Sequence, residues 1–104
     1  MDNILANIKQ LASEVVPEGG MALLYGSRAR GTAHEGSDWD VLLILNKDVL
    51  TQSDYDAVSY PFVLLGCELN EEINPIMYTA KEWQSYLATP FYENVQQDEV
   101  NLLQ

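Results

Sequence analysis

Hydrophobic residues recur along the chain with two different periods, and each period is typical of one kind of secondary structure. Over residues 3–16 they fall every three or four positions, which predicts an amphipathic helix. Short apolar runs at Met21–Tyr25 and Trp39–Leu45 predict buried strands. The second run is continuously apolar from Val41 onward, as expected where both faces of a sheet are covered.

The middle of the chain predicts one more helix and one more strand. Residues 51–65 have helical spacing, although Pro61 leaves the later part of this helix open. Ile73–Thr79 predicts a third strand, and Pro75 places it at an edge of the sheet or at a bulge. Helix and strand therefore alternate through this region.

The last quarter of the chain predicts two short helices. A capping-box pattern from Thr79 to Glu82 begins a helix that is expected to continue to Leu87. A second short helix, starting at a proline, is expected over residues 90–95. The terminal segment 96–104 is expected to be loosely held.

Length and element order together limit the possible fold classes and the number of domains. The chain has 104 residues, of which 47% are hydrophobic, enough for the core of one small domain but too few for two. Helices alternate with short strands, which predicts an α/β (α+β) fold with a small mixed β-sheet of three to four strands flanked by helices. We therefore expect a single domain over residues 1–104.

The charge is strongly negative and unevenly distributed. The chain carries 16 acidic and 5 basic residues, a net charge of −11. Because nucleic-acid backbones are bound largely through Lys and Arg, so few bases argue against a long nucleic acid as a partner. Residues 48–104 hold ten acids and one base, which favours either a solvated acidic surface or a surface for a basic partner.

The sequence carries no evident targeting signal. No apolar run approaches the ~18 residues of a membrane span, and no secretory leader precedes an apolar segment. The lone cysteine, Cys67, cannot form an internal disulfide. The cytoplasm, with no membrane partner, is therefore the expected location.

The stretch that carries candidate chemistry begins at Gly26, directly after the first strand. Glycine lets the backbone approach a ligand closely, and Ser27 then opens a turn of helix. The unpaired N–H groups of such a turn, together with the serine hydroxyl, can hold a phosphate oxygen. Arg28 and Arg30 add positive charge, so this stretch predicts an anion-binding turn.

Asp38 and Asp40 lie two residues apart at the entrance to the second strand. Alternation in a strand puts both carboxylates on one face, about 6–7 Å apart at a rise of ~3.3 Å per residue, with Trp39 pointing the other way. Two like charges so placed repel each other unless a cation lies between them. Mg²⁺ and Mn²⁺ take carboxylate oxygens and keep positions free for substrate phosphates, so the pair predicts a divalent metal site.

Gly26-Ser27, followed after ten residues by Asp38-x-Asp40, resembles the signature of the nucleotidyltransferases of the DNA polymerase beta superfamily. The small size and the Gly-Ser-Arg-Ala-Arg-Gly form are similar to its minimal nucleotidyltransferase (MNT) domains. The resemblance spans roughly residues 20–80. It implies metal-dependent transfer of a nucleoside monophosphate from a nucleoside triphosphate, with ATP the expected one, to a hydroxyl on a protein or a small molecule.

The resemblance also implies roles for individual residues. Asp38 and Asp40 would be the catalytic pair and would hold two divalent ions, while Gly26 and Ser27 would hold the triphosphate. Further phosphate contacts would come from three nearby polar residues, Arg28, Arg30 and Ser37. Minimal domains of this family are often paired with an all-helical HEPN protein, as the antitoxin half of a toxin–antitoxin pair, so such a partner is implied as well.

One departure from the family pattern concerns the third strand. Members with full activity usually carry a third carboxylate there, and Asn74 stands at the matching position. Asparagine can offer a carbonyl oxygen to a cation but is a very poor general base. Glu72 or Glu68 could supply the missing ligand, although both are more simply part of a solvated acidic turn. The alternative function is therefore a catalytically weak or inactive module that binds a nucleotide or a partner.

Overall fold

The computed structural model describes residues 3–104. In chain order, the elements are α1 (Ile4–Val15), β1 (Met21–Tyr25), α2 (Ser27–Arg30), β2 (Trp39–Leu45), α3 (Gln52–Asp54), a π-helical turn (Tyr55–Ser59), α4 (Tyr60–Leu69), β3 (Ile73–Thr79), α5 (Ala80–Gln84), α6 (Pro90–Asp98) and β4 (Val100–Asn101). The first helix and the first three strands match the predicted bounds to within one residue. Among the described residues, none of the helices is both long and apolar enough to cross a membrane.

A four-stranded mixed sheet, in the order β3-β2-β1-β4, forms the centre of the fold. β1 pairs antiparallel with β2 and with β4, and β2 pairs parallel with β3. The predicted α+β fold with a mixed sheet of three to four strands is confirmed. β3 is an edge strand, in agreement with the position of Pro75 within it.

One face of the sheet, which we call the α1/α4 face, carries the larger core. Helices α1 and α4 pack there on alternate residues of β1, β2 and β3. The amphipathic pattern of α1 is the reason, because its apolar stripe can be buried only against another element. The buried members are Ile4, Ile8, Ala12, Ala22, Leu24, Val41, Leu43, Leu45, Val58, Phe62, Ile73, Met77 and Leu102.

The opposite face, the α5/α6 face, is covered by α5 and α6 and is rich in aromatic side chains. Leu23, Leu42 and Ile44 of the sheet pack there against Trp83 and Val95. Aromatic rings pair around Trp83 with centroids 4.9 to 6.3 Å apart, in stacked, tilted and edge-on arrangements. Such pairs stabilise a small core by about 0.5–1.5 kcal/mol each beyond the area they bury.

The helix predicted over residues 51–65 is longer and is interrupted. α3 begins at a capping box, and the π-helical turn separates it from α4. This wider turn lies directly before Pro61, which falls in the first turn of α4. α4 then continues to Leu69 and closely approaches the start of β3, since a Cβ on Gly66 would lie 2.7 Å from the carbonyl oxygen of Glu71.

Two predictions for the last quarter are wrong. α5 ends at Gln84 rather than at Leu87, because the chain tightens after it into i→i+3 hydrogen bonds. The segment 96–104 is not loosely held. α6 continues to Asp98, β4 pairs with β1, and Leu102 is 1% exposed. The sheet therefore holds the end of the chain beside the first strand.

Candidate active site

Asp38 and Asp40 lie at the mouth of β2, on the α5/α6 face. Asp40 is the second residue of β2, and the residues that follow it on the same face, Leu42 and Ile44, belong to the α5/α6 core. Trp39 packs against the α1/α4 core, as its position between the two carboxylates predicted. Strand alternation therefore directs both carboxylates to the side away from Trp39.

The turn after β1 brings the backbone against Asp40. Gly26 has a φ of 82°, a region that L side chains rarely adopt, and a Cβ built on it would collide with Oδ2 of Asp40. Ser27 is the first residue of α2, where the leading N–H groups have no acceptor within the helix. Glycine is therefore the residue that lets this turn lie beside the carboxylate.

Negative charge is crowded at Asp40. Burial raises the pKa of its carboxyl, the charge of Asp38 raises it further, and Arg30 acts in the opposite direction. The shift means that the folded protein holds a proton on Asp40 more tightly than an unperturbed aspartate does. A divalent cation at this point would relieve the same repulsion.

Asn74 extends the polar row onto β3. It lies opposite Asp40 in the parallel ladder, and its amide nitrogen donates a hydrogen bond of 2.9 Å to Oδ2 of Asp38. Within residues 3–104, no group of three His, Cys, Asp or Glu side chains could hold a metal, so Glu72 does not join the pair in such a cluster. Glu72 precedes β3, and its carbonyl accepts a hydrogen bond of 2.8 Å from the backbone of Trp39.

Arg28 points away from the carboxylates of Asp38 and Asp40. Its guanidinium donates to the carbonyl oxygen of Ser37 at 3.1 and 3.3 Å and lies 4.6 Å above the ring of Trp39. It also lies 3.7 Å from Glu71, which accepts a hydrogen bond of 2.9 Å from the indole of Trp39. Because Trp39 faces the α1/α4 side, Arg28 does too. Arg28 braces the loop before β2, and its contact with a phosphate stays a prediction.

Ser37 is engaged in the turn that precedes Asp38. Its hydroxyl oxygen accepts a hydrogen bond of 3.0 Å from the backbone N–H of His34, and its own N–H donates to the His34 carbonyl at 3.0 Å. Its carbonyl is the group that Arg28 binds. Ser37 therefore shapes the loop, and a direct phosphate contact by its side chain also stays a prediction.

Arg30, in contrast, faces α6 and the carboxylate pair. Its Nη1 donates to Oδ2 of Asp98 at 2.6 Å, and the same oxygen accepts a hydrogen bond of 3.3 Å from the backbone N–H of Gly26. The side chain of Asp98 is 7% exposed and that of Arg30 is 49% exposed. Asp98 thus ties the turn after β1 to α6 while the guanidinium still reaches solvent.

Sequence reasoning missed Asp98. The residue lies 68 positions from Arg30, in the segment that was expected to be loosely held. The local pattern around it, a run of polar residues in an acidic half of the chain, carries no signal for this contact. Only the pairing of β4 with β1 brings the end of α6 to Gly26.

Two phenols on the α5/α6 face are held protonated. Tyr25 lies opposite Asp40 in the antiparallel ladder, and burial together with the charge of Asp40 raises its pKa to about 12. Burial also raises the pKa of Tyr78 to about 12, and Tyr86 adds to the shift. Both phenols can therefore donate hydrogen bonds at neutral pH but cannot take up a proton.

The chain is similar to known proteins both in sequence and in structure. The family model described as a nucleotidyltransferase domain matches residues 3–87. A crystal structure of a toxin–antitoxin with AMP-PNP has a TM-score of 0.65 and 22% identity, and the match covers 97% of this chain and 73% of that one. A structure of the toxin–antitoxin MntA-HpeT, in a mutant with two Asp-to-Glu substitutions, has a TM-score of 0.65 and 17% identity, covering 94% and 71%. No curated protein matches the chain.

Proposed function

Since the chain belongs to the nucleotidyltransferase domain family, we propose that it transfers a nucleoside monophosphate from ATP to a hydroxyl group on a protein or a small molecule, with Mg²⁺ or Mn²⁺ bound at Asp38 and Asp40. One observation carries this proposal: the two carboxylates share a face at the mouth of β2, against a glycine turn that leaves no room for a side chain. The proposed site combines a place for cations with a place for phosphates.

The residues present fit a hard divalent cation. Two carboxylates and the amide of Asn74 offer only oxygen ligands once the amide turns its carbonyl inward, and Mg²⁺ prefers such ligands. The raised pKa of Asp40 supports the same assignment, because a bound cation would offset both the burial of its charge and the repulsion from Asp38. When bound, the metal ions supply Lewis-acid polarisation of the α-phosphate.

The glycine turn and Arg30 are the proposed holders of the triphosphate. The first N–H groups of α2 and the Ser27 hydroxyl can donate to phosphate oxygens. Arg30 has one nitrogen bound to Asp98 and further donors that can reach a phosphate, since its side chain is half exposed. Arg28 and Ser37 contribute by holding the loop that carries Asp38. The AMP-PNP in the toxin–antitoxin neighbour supports a nucleotide as the ligand of this fold.

In the proposed reaction the acceptor hydroxyl oxygen attacks the α-phosphorus. The bond from phosphorus to the bridging oxygen breaks, pyrophosphate leaves, and the hydroxyl proton passes to solvent water. This chain's residues hold the phosphates in place for that in-line displacement, which is where most catalysis of phosphoryl transfer comes from. Asn74, Tyr25 and Tyr78 cannot take the hydroxyl proton, because the first is neutral and burial holds both phenols protonated.

That limitation is the specific observation behind a second candidate function, a catalytically weak or inactive module that binds a nucleotide or a partner. Asn74→Asp distinguishes the two. If transfer is limited by the missing third acid, Asn74→Asp raises the rate in Mg²⁺ several-fold, because a third ligand is restored beside Asp38. If Asn74 is already suited to an active enzyme, the substitution lowers the rate. No transfer by either form favours the binding module.

A protein partner is part of the proposal. Both structural neighbours are toxin–antitoxin proteins, and the mutant neighbour changes two aspartates that are two positions apart, the spacing of Asp38 and Asp40. We therefore propose that the chain acts as the antitoxin half of a pair with an all-helical HEPN-type protein in the cytoplasm. The acidic half of the chain suits a basic partner and makes a long nucleic acid an unsuitable acceptor.

The experiment is incubation of the chain with α-labelled ATP and Mg²⁺, with and without a helical HEPN-type protein as the partner. We expect label on the partner or on an added small hydroxyl compound, none with EDTA, and none with Asp40→Asn. Asp48→Asn, the same change at an exposed turn residue, is the control and should label normally. Label that persists in Asp40→Asn, or that never appears with any acceptor, would contradict the enzymatic proposal.

A further inference from the structure

We propose that the groove between α4 and the edge strand β3 is the docking site for a protein segment that combines apolar anchor side chains with basic ones. The groove, which we call the α4 groove, is an open cavity of about 740 Å³. Its apolar and small lining residues come from both elements: Val63, Gly66, Cys67, Ile73 and Pro75. The role of the segment as a nucleotide acceptor rests on the proposed function, whereas the docking itself does not.

The first observation is an apolar stripe on α4 that faces away from the core. Tyr60, Val63, Leu64 and Cys67 follow the i, i+3, i+4, i+7 spacing of one helix face, and all four are exposed. Tyr60 is 51% exposed and Leu64 50%, while Phe62 on the opposite side of the helix is fully buried. Single exposed apolar residues are common, but a continuous stripe along a helix marks a contact surface.

The second observation is the charge around the stripe. Residues 48–80 contain six acidic residues and no Lys or Arg. Glu68 and Glu72 are exposed at the C-terminal end of the stripe, and Asp56 is exposed before its start. A second copy of this chain would bring the same negative charges face to face, which disfavours self-association here. A partner with basic side chains around an apolar centre complements the surface instead.

The third observation is where the groove ends. Asn74 lines the groove and also donates the hydrogen bond to Asp38. Glu35 and Ser37, from the loop that leads to Asp38, line the same cavity. A segment lying in the α4 groove therefore has one end beside the candidate metal ligands, where a hydroxyl on that segment would meet the bound nucleotide.

The test measures docking without nucleotide or metal, by fluorescence anisotropy. The probes are two labelled peptides of equal length, one with Leu and Lys at helical spacing and a single Tyr, the other with Glu in place of every Lys. The variant Val63→Ser/Leu64→Ser removes the two aliphatic side chains of the stripe, of which Val63 also lines the cavity. The control Val49→Ser/Leu87→Ser removes the same two residue types at exposed positions outside the groove, 68% and 66% exposed, so the two variants have identical composition and charge.

We expect the Lys peptide to bind the wild type, to bind Val63→Ser/Leu64→Ser about fivefold or more weakly, and to bind the control within about twofold. The Glu peptide should not bind. Equal loss in both double variants, no loss in either, or binding of the Glu peptide would overturn the proposal. Self-association of the wild type that Val63→Ser/Leu64→Ser abolishes would also overturn it, in favour of a second copy on this face.

A second pair of variants keeps the test sound if the serine variant does not fold. Glu68→Gln/Glu72→Gln neutralises the rim of the groove, and Glu93→Gln/Glu99→Gln makes the same change at exposed positions around α6. Only the first double variant should weaken the binding of the Lys peptide. Because no ATP is present, failure of docking and failure of nucleotidyl transfer are separate results. A docked peptide that is never labelled in ATP and Mg²⁺ would contradict the acceptor route alone.

Discussion

The two faces of the sheet use the same strand for different purposes. On the α1/α4 face, β2 contributes Val41, Leu43 and Leu45, all of them 0–2% exposed. On the α5/α6 face, Asp38 precedes the strand, Asp40 lies within it, and the apolar residues begin only at Leu42. A strand with period two can therefore carry a closed core on one side and a charged site on the other. Side chains on one side of β2 therefore stabilise the fold, and side chains on the other side form the candidate site.

The largest effect should come from opening the α1/α4 core. Leu43→Ala removes a fully buried side chain, so we expect unfolding in denaturant to show a loss of about 2–5 kcal/mol. The folded protein should keep its nucleotide affinity, because Leu43 faces away from the carboxylates. Leu87→Ala, at a position 66% exposed, is the control and should change little. Lost affinity in folded Leu43→Ala would show that the two faces are not separable.

The next effect should come from the glycine turn. Gly26→Ala adds a Cβ that collides with Asp40 and must also adopt a positive φ, so we expect a loss of stability above about 1 kcal/mol and of nucleotide affinity by at least about tenfold. Gly31→Ala separates the two causes. Gly31 has a φ of 80° and open space around it, so it carries the backbone strain without the collision. Equal nucleotide affinity in the two variants would contradict the role assigned to the contact.

A smaller effect is expected at Asp98. Asp98→Asn keeps the shape but loses the charge that holds Arg30, so we expect about 1–2 kcal/mol less stability and a several-fold weaker affinity for ATP. Asp98→Glu, which keeps the charge, should recover part of the affinity. Glu93→Gln on the exposed side of α6 should change neither quantity. Tighter ATP binding in Asp98→Asn would mean that Asp98 competes with the nucleotide rather than positioning Arg30.

The smallest effect is expected in the pH dependence of folding stability, measured in EDTA, which comes from Asp40 on the α5/α6 face. The pKa of Asp40 is raised in the folded protein above its ordinary value of 3.8, so the folded state binds the proton more tightly than the unfolded state. The stability this gives is present below pH 3.8 and is lost as the pH rises through the folded pKa. Relative to Asp40→Asn, the wild type should therefore lose stability from acid to neutral pH. A stability difference between the wild type and Asp40→Asn that does not change with pH would contradict the raised pKa of Asp40.

Local pattern was enough to predict most of the sheet and the heart of the site. The continuous apolar run of β2 and the two aspartates before it are neighbours in sequence, so period two alone predicts which side each residue takes. The capping box at Thr79 is equally local and is present. The fold and the shared face of Asp38 and Asp40 were therefore within reach of the sequence, and their binding of a metal stays a proposal.

The directions and partners of Arg28 and Arg30 could not be predicted from the local sequence. Both arginines were expected to contact phosphate, from the family resemblance and because they lie just beyond the glycine turn, yet residues two apart on a helix point in nearly opposite directions. Arg28 consequently meets Trp39, and Arg30 meets Asp98. The direction depends on the rotation of a four-residue helix, and the partner of Arg30 depends on a two-residue strand that no periodicity can predict.

The central claim is that Asp38 and Asp40 make nucleotide binding depend on a divalent cation. Calorimetric titration of a non-hydrolysable ATP analogue tests it most directly, with the wild type in Mg²⁺, the wild type in EDTA, and Asp40→Asn in Mg²⁺. We expect binding in the first case and a loss of affinity of at least about tenfold in the other two. Equal affinity in all three would contradict it.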